Sequence, residues 1–265
     1  MSRSEQTWAS SAVVMGVGQL GAVFAEGWLK AGRAVLPITR AVSVAEVSER
    51  LPKPAIVLIA VGEAALLDVL QTLPLGYREP AALVQNELLP RTWRDVYGPA
   101  PDPSVAIVWF EKKPGKLTHS IRPSVLHGPT AEILAESLER QSLPYFMAES
   151  PEVRDFELVL KNLYILALNL GGLAHPGSAG ELWRDHQDLM APLCDELIHL
   201  QSALLGRAVE REKLLSGLAA AIAADPAHGA RGRSAEERLR RAAAQASDLG
   251  VPVPVLESLA RAHLG

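Results

Sequence analysis

The chain has 265 residues, a formal net charge of −4 and a single cysteine, Cys194. Its length is sufficient for one large domain or for two smaller ones, each with a hydrophobic core. The negative charge argues against a general nucleic-acid binder, which needs a basic face, and one cysteine excludes a disulfide framework and a cysteine-rich metal site.

The first half of the sequence alternates between apolar runs and helical patterns. Residues 12–15 predict a buried strand that ends in glycines, and residues 20–31 predict a helix that stops at Gly32. Further strands are predicted at 34–39, 55–61, 81–85 and 105–110, with helices at 43–51 and 64–73. Pro37 weakens the second strand or marks an irregular point in it. This order is typical of a parallel sheet with crossover helices.

The pattern changes in the second half of the chain. Residues 116–127 predict a further pair of strands, 130–140 a helix, and 145–147 a strand that closes the sheet. After a polar segment the predicted elements are all helices, at 153–171, 179–205, 210–224 and 235–249. We therefore place a domain boundary near residue 150, between an α/β domain (1–150) and an all-α domain (151–265).

No segment predicts a membrane span, because the most apolar stretch, 158–174, is interrupted by Lys161, Asn162 and Asn169. The apolar run at 12–24 has no basic cluster before it and no clear cleavage site after it, so we do not expect a signal peptide. The expected location is the reducing environment of the cytoplasm.

Residues 16–21 read Gly-Val-Gly-Gln-Leu-Gly and match the pattern G-x-G-x-x-G between a predicted strand and a predicted helix. In this pattern the first glycine allows a tight turn, the second lets a pyrophosphate approach the backbone, and the third lets helix and strand pack closely. The helix N-terminus adds free N–H groups and a partial positive charge. Because glycines also serve ordinary turns, the alternative is a structural turn that binds no ligand.

The end of the second strand bears on the choice of dinucleotide. An NAD site usually has Asp or Glu there for the ribose hydroxyls, whereas this chain has Thr39 and Arg40 and no acid before Glu46. A guanidinium suits a 2′-phosphate, so we expect NADP(H), unless Arg40 is a solvated surface residue. The predicted cofactor-binding residues are Gly16, Val17, Gly18, Gln19, Leu20, Gly21, Thr39 and Arg40.

The helix predicted at 153–171 is apolar nearly all round and should therefore be buried. Lys161, Ile165 and Asn169 fall within an arc of about 80° at 100° per residue. A lysine on a buried helix costs free energy unless it meets a partner or a polar cleft. Lys161 either extends to the surface or faces a cleft between the domains, where burial would lower its pKa toward the range of proton transfer.

Taken together, these features resemble the ketopantoate reductase family, whose members reduce 2-dehydropantoate with NADPH. The resemblance covers most of the chain and includes the glycine loop with Arg40, Val84-Gln85-Asn86, the helix at 161–174, Gly180-Glu181-Leu182 with Leu189-Met190, and the segment 249–254. The lysine helix followed by Gly-Glu-Leu is its most particular part. The resemblance implies a Rossmann-type domain followed by an all-α domain like the C-terminal domain of 6-phosphogluconate dehydrogenase.

The resemblance also implies roles for single residues. Lys161 matches the lysine that donates a proton to the carbonyl oxygen as hydride arrives on carbon, and Asn86 would lie near the nicotinamide and the substrate. Asn169 matches a substrate-binding asparagine, and Arg40 would contact the 2′-phosphate. The predicted catalytic residues are therefore Lys161 and Asn86.

The sequence departs from the family pattern mainly in its substrate half. The changed positions are Glu87 in place of Gly, Gly62 in place of Lys, and Ile165 and Ala179 in place of Asn. The family's substrate-binding glutamate falls on Ser234 or, with a small shift of the alignment, on Glu236. The predicted substrate-binding residues are Asn169, Ser234 and Glu236.

The remaining candidate clusters have simpler interpretations. The seven histidines show no metal-ligand spacing, so we predict no metal site. Five arginines between residues 231 and 241 form a basic cluster that is interrupted by Glu236 and Glu237, which favours a solvated face over a nucleic-acid site. Cys194 falls in an amphipathic pattern and is predicted to be a packing residue.

The leading hypothesis is an NADP-dependent oxidoreductase that acts on a small 2-oxo or 2-hydroxy acid in a cleft flanked by Asn86, Lys161 and Asn169. The alternative is a non-catalytic dinucleotide-binding paralogue, a sensor or a scaffold. The retained Lys161 and Asn86 favour the enzyme, whereas the missing family Glu and Asn positions favour the sensor. The helical domain could form a homodimer interface, although a monomeric core would give the same pattern. Nucleic acid and membranes are not expected as partners.

Overall fold

A seven-stranded sheet organises the first part of the computed structural model, which describes residues 10–98 and 101–264. The strands along the chain are β1 (Ala12–Met15), β2 (Val35–Ile38), β3 (Ile56–Ile59), β4 (Ala81–Leu83), β5 (Ser104–Ile107), β6 (Phe110–Glu111), β7 (His119–Ser120), β8 (Ser124–His127) and β9 (Tyr145–Met147). The order across the sheet is β2-β1-β3-β4-β5-β8-β9. Strands β1 to β5 are parallel, β8 runs antiparallel to β5, and β9 runs parallel to β8. The predicted α/β architecture is confirmed, with a mixed arrangement at one edge.

Two strand predictions need correction. The run at 105–110 is divided, because β5 ends at Ile107 and the N–H of Trp109 donates to the Ser124 hydroxyl (3.0 Å) instead of continuing the ladder. Of the pair expected at 116–127, only β8 joins the main sheet. Strand β7 pairs instead with β6 in a separate two-stranded sheet.

Strand β2 carries Pro37 without losing its place in the sheet. It lies at the edge and pairs only with β1, where Pro37 is opposite Val14. An edge strand needs ladder bonds on one side only, so a residue without an N–H is tolerated there.

Helices cover the sheet of the first part. They are α1 (Gln19–Lys30), α2 (Val44–Arg50), α3 (Leu66–Thr72), α4 (Leu75–Arg78), α5 (Pro90–Tyr97) and α6 (Ala131–Glu139), with a 3-10 turn at Glu63–Ala65. Helices α4 and α5 are not among the elements predicted from the sequence. Helices α1 and α6 approach closely at Gly27, where an added Cβ would lie 2.2 Å from the Ser137 carbonyl oxygen. Their contact closes a core that includes Phe24 and Trp28.

A hydrogen-bonded network around the carboxylate of Asp102 joins Arg154, at the end of the first part, to α5. Asp102 accepts hydrogen bonds from Trp93 Nε1 (2.8 Å), from Arg94 Nη2 (2.9 Å) and from Arg154 Nη1 (2.7 Å). Arg154 is almost fully buried, at 1% exposure. Burial by itself raises the pKa of Asp102, but these donors outweigh it and lower the pKa to about 2.

The second part is helical throughout its described residues. Its helices are α7 (Pro151–Ala174), α8 (Ala179–Asp185), α9 (Gln187–Leu205), α10 (Arg211–Ala224), α11 (Ala235–Leu249) and α12 (Pro254–His263). The single helix predicted at 179–205 is wrong, because His186 has φ −127° and ψ 42° and separates α8 from α9. Its ring stacks on that of His175, with centroids 3.7 Å apart. Helix α12 is likewise not among the predicted elements.

The chain separates into two compact units, Met1–Arg154 and Asp155–Gly265. That the first is an NADP-binding domain and the second a substrate or dimerisation domain stays a prediction. Helix α7 is long and apolar enough to cross a membrane by length and composition alone. However, 83% of its most apolar window is buried, as expected for a core helix.

Candidate functional site

The loop between β1 and α1 contains two glycines that the backbone requires. Gly16 has φ +91°, and a Cβ there would lie 2.7 Å from the carbonyl oxygen of Ala60, at the end of β3. A Cβ at Gly21 would lie 2.1 Å from the carbonyl oxygen of Gly16. The first and third glycines of the pattern therefore let the loop turn tightly and let α1 begin directly against it.

Gly18 differs from these two glycines. Its φ of −76° is open to any residue, and a Cβ at this position would meet no atom within 4 Å. Gly18 is also the residue that precedes α1, so no side chain caps the first N–H groups of the helix. The protein itself does not require a glycine here, and the exposed backbone is left open to a ligand.

Thr39 and Arg40 follow the strand next to this loop. Met15 is opposite Ile38 in the ladder, and the N–H of Gly16 donates to the Ile38 carbonyl (3.0 Å). Both Thr39 and Arg40 are exposed, and Arg40 forms no ion pair within residues 10–98 and 101–264. Because both strands end at the same edge of a parallel sheet, the structure brings the loop and Arg40 to neighbouring positions.

Glu46, the first acid after β2, belongs to another element. It lies in the first turn of α2, where its N–H donates to the Ser43 hydroxyl (3.4 Å). An acidic residue at the end of β2, which would favour the ribose hydroxyls of NAD, is thus lacking in this chain.

Asn86 follows β4 and contacts an acid that the sequence analysis did not single out. Its Nδ2 donates to Glu63 Oε1 (3.2 Å), just after β3. The preceding Gln85 donates to the carbonyls of Ile59 (2.7 Å) and Val61 (3.1 Å) and joins the ends of the two strands. The strand order β3-β4 gives a signal for this pairing, since residues that follow neighbouring parallel strands lie close together.

Glu87 stands where the resemblance leads one to expect a glycine. Its φ is +59°, in the left-handed region that favours glycine. A glutamate at this position therefore carries backbone strain that a glycine would not.

Lys161 is half-buried on α7, between the two alternatives considered from the sequence. Its Nζ lies 5.5 Å from the ring centroid of Tyr164, within the range of a cation–π contact. The neighbouring Asn162 has a packing role, because its Nδ2 donates to Gln201 Oε1 (2.9 Å) and both side chains are buried.

Asn169 lies two turns beyond Lys161 and is 6% exposed. Its Oδ1 accepts a hydrogen bond from Arg238 Nη1 (3.0 Å). A Cβ at Gly232 would lie 2.6 Å from the same Oδ1 atom, so the glycine leaves room for this pairing.

The interpretation of the basic cluster as a solvated face is wrong for Arg238. This side chain is 8% exposed, whereas Arg231, Arg233 and Arg240 are exposed. A signal was present in the sequence: Ala235, Arg238, Leu239, Ala242 and Ala246 follow helical spacing and form the buried face of α11.

Ser234 and Glu236 lie at the beginning of α11. Ser234 precedes the helix, and its carbonyl accepts from the N–H of Arg238 (2.9 Å). Glu236 is about half exposed and pairs with Arg231 at 2.9 Å. Their roles in substrate binding stay predictions.

The Gly-Glu-Leu segment has structural functions. The carboxylate of Glu181 accepts from the backbone N–H and the hydroxyl of Ser178, which caps α8 and lowers the pKa of Glu181. A Cβ at Gly180 would lie 2.8 Å from Pro226 Cβ, and Leu182 is buried. This segment therefore fixes the approach of the loop at 226–230 to α8.

Other reactive groups give no further centre. Within the described ranges, no three His, Cys, Asp or Glu side chains converge in a way that could hold a metal ion. Cys194 is buried, and burial raises the pKa of its thiol to about 12, so it is a poor nucleophile at neutral pH.

Comparison with known proteins supports the fold. No known family profile matches the chain, and no curated protein sequence matches it either. Among solved structures, the chain is similar to a PanE/ApbA family ketopantoate reductase from Ralstonia eutropha JMP134, with 15% identity over 94% of this chain and 95% of that one and a TM-score of 0.65. The fold is that of the ketopantoate reductases.

Solved structures of two further proteins share this fold. D-mandelate dehydrogenase in complex with NADH is 14% identical over 95% of this chain and 96% of that one, with a TM-score of 0.66, and has also been solved with NADH and anilino(oxo)acetate. The dimeric ketopantoate reductase from Staphylococcus aureus is 14% identical over 94% of this chain and 95% of that one, with a TM-score of 0.62. The resemblance inferred from the sequence is confirmed at the level of the fold.

Proposed function

We propose that the chain is an NADP-dependent oxidoreductase that transfers a hydride to the carbonyl carbon of a small 2-oxo acid. The observation that carries the proposal is the loop at 16–21, where Gly18 leaves its backbone open at the beginning of α1. The similarity in fold to D-mandelate dehydrogenase, whose solved structure includes NADH, supports a nicotinamide dinucleotide as the ligand.

The residues of the first unit fit such a dinucleotide. The uncapped first turn of α1 would donate its N–H groups to the pyrophosphate, where the partial positive charge of the helix end also favours an anion. Arg40 would bind the 2′-phosphate with its planar set of donors. When bound, NADPH supplies the hydride, and the rest of the chemistry falls to side chains of the protein.

Lys161 would hold the proton that the carbonyl oxygen takes up. A charged ammonium beside this oxygen stabilises the alkoxide as it develops, and then neutralises it. Asn169 would donate to an oxygen of the substrate, and Asn86, held by Glu63, would orient the reacting groups. The cationic side chain of Lys161, in the second unit, favours an anionic substrate.

A non-catalytic dinucleotide-binding protein, a sensor or scaffold, is the second candidate. The observation in its favour is that Glu236 is about half exposed and engaged with Arg231. A carboxylate in that position is poorly suited to support Lys161 or to hold a substrate. The two functions share the cofactor and differ in turnover.

The cofactor is tested by fluorescence titration with NADPH and NADH. We expect Arg40→Ala to weaken NADPH binding about 10- to 100-fold, which corresponds to the loss of a hydrogen bond to a charged group, and to leave NADH binding nearly unchanged. Arg50→Ala, at an exposed arginine at the end of α2, is the matched control. Equal losses for both dinucleotides would refute the role of Arg40 in binding the 2′-phosphate.

Turnover is tested by following NADPH consumption with a panel of 2-oxo acids that includes ketopantoate. We expect Lys161→Ala to lower kcat about 10²- to 10⁴-fold, as for the loss of a general acid. Lys213→Ala removes an exposed lysine that pairs with Glu210 and should have no effect. NADPH binding without turnover on any acid would favour the sensor, and absence of NADPH binding would reject both functions.

The assembly and the location complete the proposal. The dimeric state of the Staphylococcus aureus reductase favours a homodimer, for which we propose the helical unit as the interface. Light scattering coupled to size exclusion would decide between dimer and monomer. We propose a cytoplasmic location, which fractionation of the source cells would test.

A further inference from the structure

Arg238 is a buried cation that the proposed reaction does not use. It is 8% exposed, on the face of α11 that also buries Leu239 and Ala242. A guanidinium stays protonated in proteins, so burying it costs free energy that hydrogen bonds have to offset. Because an apolar side chain of similar volume would fill this space at lower cost, the position of Arg238 calls for a reason beyond packing.

The contact with Arg238 determines how the amide of Asn169 is oriented. An arginine can only donate, so the atom that it contacts has to be Oδ1, and Nδ2 is directed elsewhere. Although Asn169 is 6% exposed, its Nδ2 makes no hydrogen bond to any residue in the described ranges. The positive charge on one side of the amide polarises it and makes Nδ2–H a stronger donor on the other.

The loop before α11 holds this arrangement in place. Three backbone hydrogen bonds join it to the beginning of α8 and the residues just before it: Ala179 N to His228 O (2.7 Å), Gly180 N to Pro226 O (2.9 Å) and Ala230 N to Gly177 O (3.0 Å). The loop then brings Gly232 against Asn169 Oδ1, at a distance that no side chain would allow. The amide is thus held both by a charge and by a close backbone approach.

We infer that Arg238 is a positioning residue that presents the Nδ2 group of Asn169 to an anionic oxygen of the substrate. A carboxylate satisfies this donor best, since hydrogen bonds to ionised acceptors are the strong ones. Lys161, on the same helix two turns earlier, adds a second positive charge. The inference rests on the proposed function only for the identity of the ligand as a small acid.

The first experiment measures acid binding directly. Anilino(oxo)acetate, ketopantoate and pyruvate are titrated by calorimetry into the full-length protein, with and without saturating NADPH, and the methyl ester of anilino(oxo)acetate serves as the uncharged comparison. We expect at least one acid to bind, and the ester to bind more weakly than its acid. Arg238→Met should weaken acid binding about 10- to 100-fold, Arg238→Lys should restore part of it, and Arg240→Met, at an exposed arginine of the same helix, should change nothing.

A double-mutant cycle tests whether Arg238 acts through Asn169. If it does, Arg238→Met has little further effect on acid binding once Asn169→Ala is in place. Additive losses would overturn the inference, because Arg238 would then act by another route. A loss with Arg240→Met equal to that with Arg238→Met would overturn it as well.

A further variant keeps the test valid if Arg238→Met does not fold. Asn169→Asp retains an acceptor for Arg238 and removes the donor, so we expect a folded protein that binds acids as weakly as Asn169→Ala. Acid binding by Asn169→Asp at the wild-type level would overturn the inference. If the wild-type protein binds an acid but not NADPH, the proposed function is rejected and the inference is supported. If the wild-type protein binds no acid, the inference is overturned, and the proposal of a dinucleotide site is unaffected.

Discussion

The two units place their candidate residues in different ways. In the first, the loop at 16–21, Arg40 and Asn86 each follow the carboxyl end of a parallel strand, so the sheet brings them to one edge. In the second, Asn169 lies on one helix and its partner Arg238 on another. A local motif therefore identifies the candidate residues of the first unit, whereas packing between distant segments brings together those of the second.

We expect the strongest contrast between two glycines of the loop at 16–21. We expect Gly21→Ala to lower the free energy of unfolding by about 3 kcal/mol, because its Cβ would lie 2.1 Å from a backbone oxygen. Gly18→Ala should leave stability within about 0.5 kcal/mol and weaken NADPH binding, since its Cβ would enter the space left to the ligand. Urea denaturation and fluorescence titration measure the two effects. Equal destabilisation by both variants would make Gly18 a structural glycine.

A smaller effect concerns the stability of the first unit in acid. The pKa of Asp102 is about 2 instead of 3.8, since burial, which raises it, is outweighed by hydrogen bonds from Arg94, Trp93 and Arg154. A lowered pKa in the folded state means that the stabilisation is complete above pH 4 and is lost as the pH falls toward 2. With allowance for solvent at a side chain that is 23% exposed, we expect a loss of about 1–2 kcal/mol.

Urea denaturation of Asp102→Asn between pH 7 and pH 2.5 checks this assignment. The variant should be less stable at pH 7 and should lose less stability on acidification than the wild type. Asp95→Asn, at a side chain that is 64% exposed and pairs with Arg91, is the control and should behave like the wild type. An unchanged pH dependence in Asp102→Asn would show that other carboxylates are responsible.

The smallest effect concerns Glu87, where the first unit departs from the pattern that the resemblance implies. Glu87→Gly should raise the free energy of unfolding by about 1 kcal/mol, because φ +59° is costly for Glu and not for Gly. Glu49→Gly, at an exposed position within α2, should lower it by about 1 kcal/mol. A loss of stability in Glu87→Gly would show that contacts of the carboxylate outweigh the strain.

Much of the first unit could be predicted because its signals are local. Strand β1, the glycine loop and α1 follow from apolar spacing and from glycines at fixed intervals. Helices α5 and α12 also had a local signal, a proline at the first helical position, which the sequence analysis did not use. The division of the predicted strand at 105–110 had no local signal, because it depends on a hydrogen bond between Trp109 and Ser124.

The candidate site was predictable to the extent that each residue could be recognised by its neighbours in sequence. Arg40 follows a strand, and Lys161 interrupts an apolar helix. The contact of Asn86 with Glu63 crosses from one strand end to the next, and the pairing of Asn169 with Arg238 joins residues 69 positions apart. Such pairs form only when the elements have packed.

The α/β unit followed by a helical unit, the glycine loop and the arginine beside it could all be predicted from the sequence alone. These depend on backbone conformation and short spacing, which each segment carries alone. Three features emerge only when the chain has packed: Gly18 is open while Gly16 and Gly21 are enclosed, Arg238 is buried while Arg231, Arg233 and Arg240 are exposed, and Oδ1 is the atom of Asn169 that is already engaged. Burial and hydrogen-bond partners are properties of surfaces that meet, and these surfaces come from distant parts of the chain.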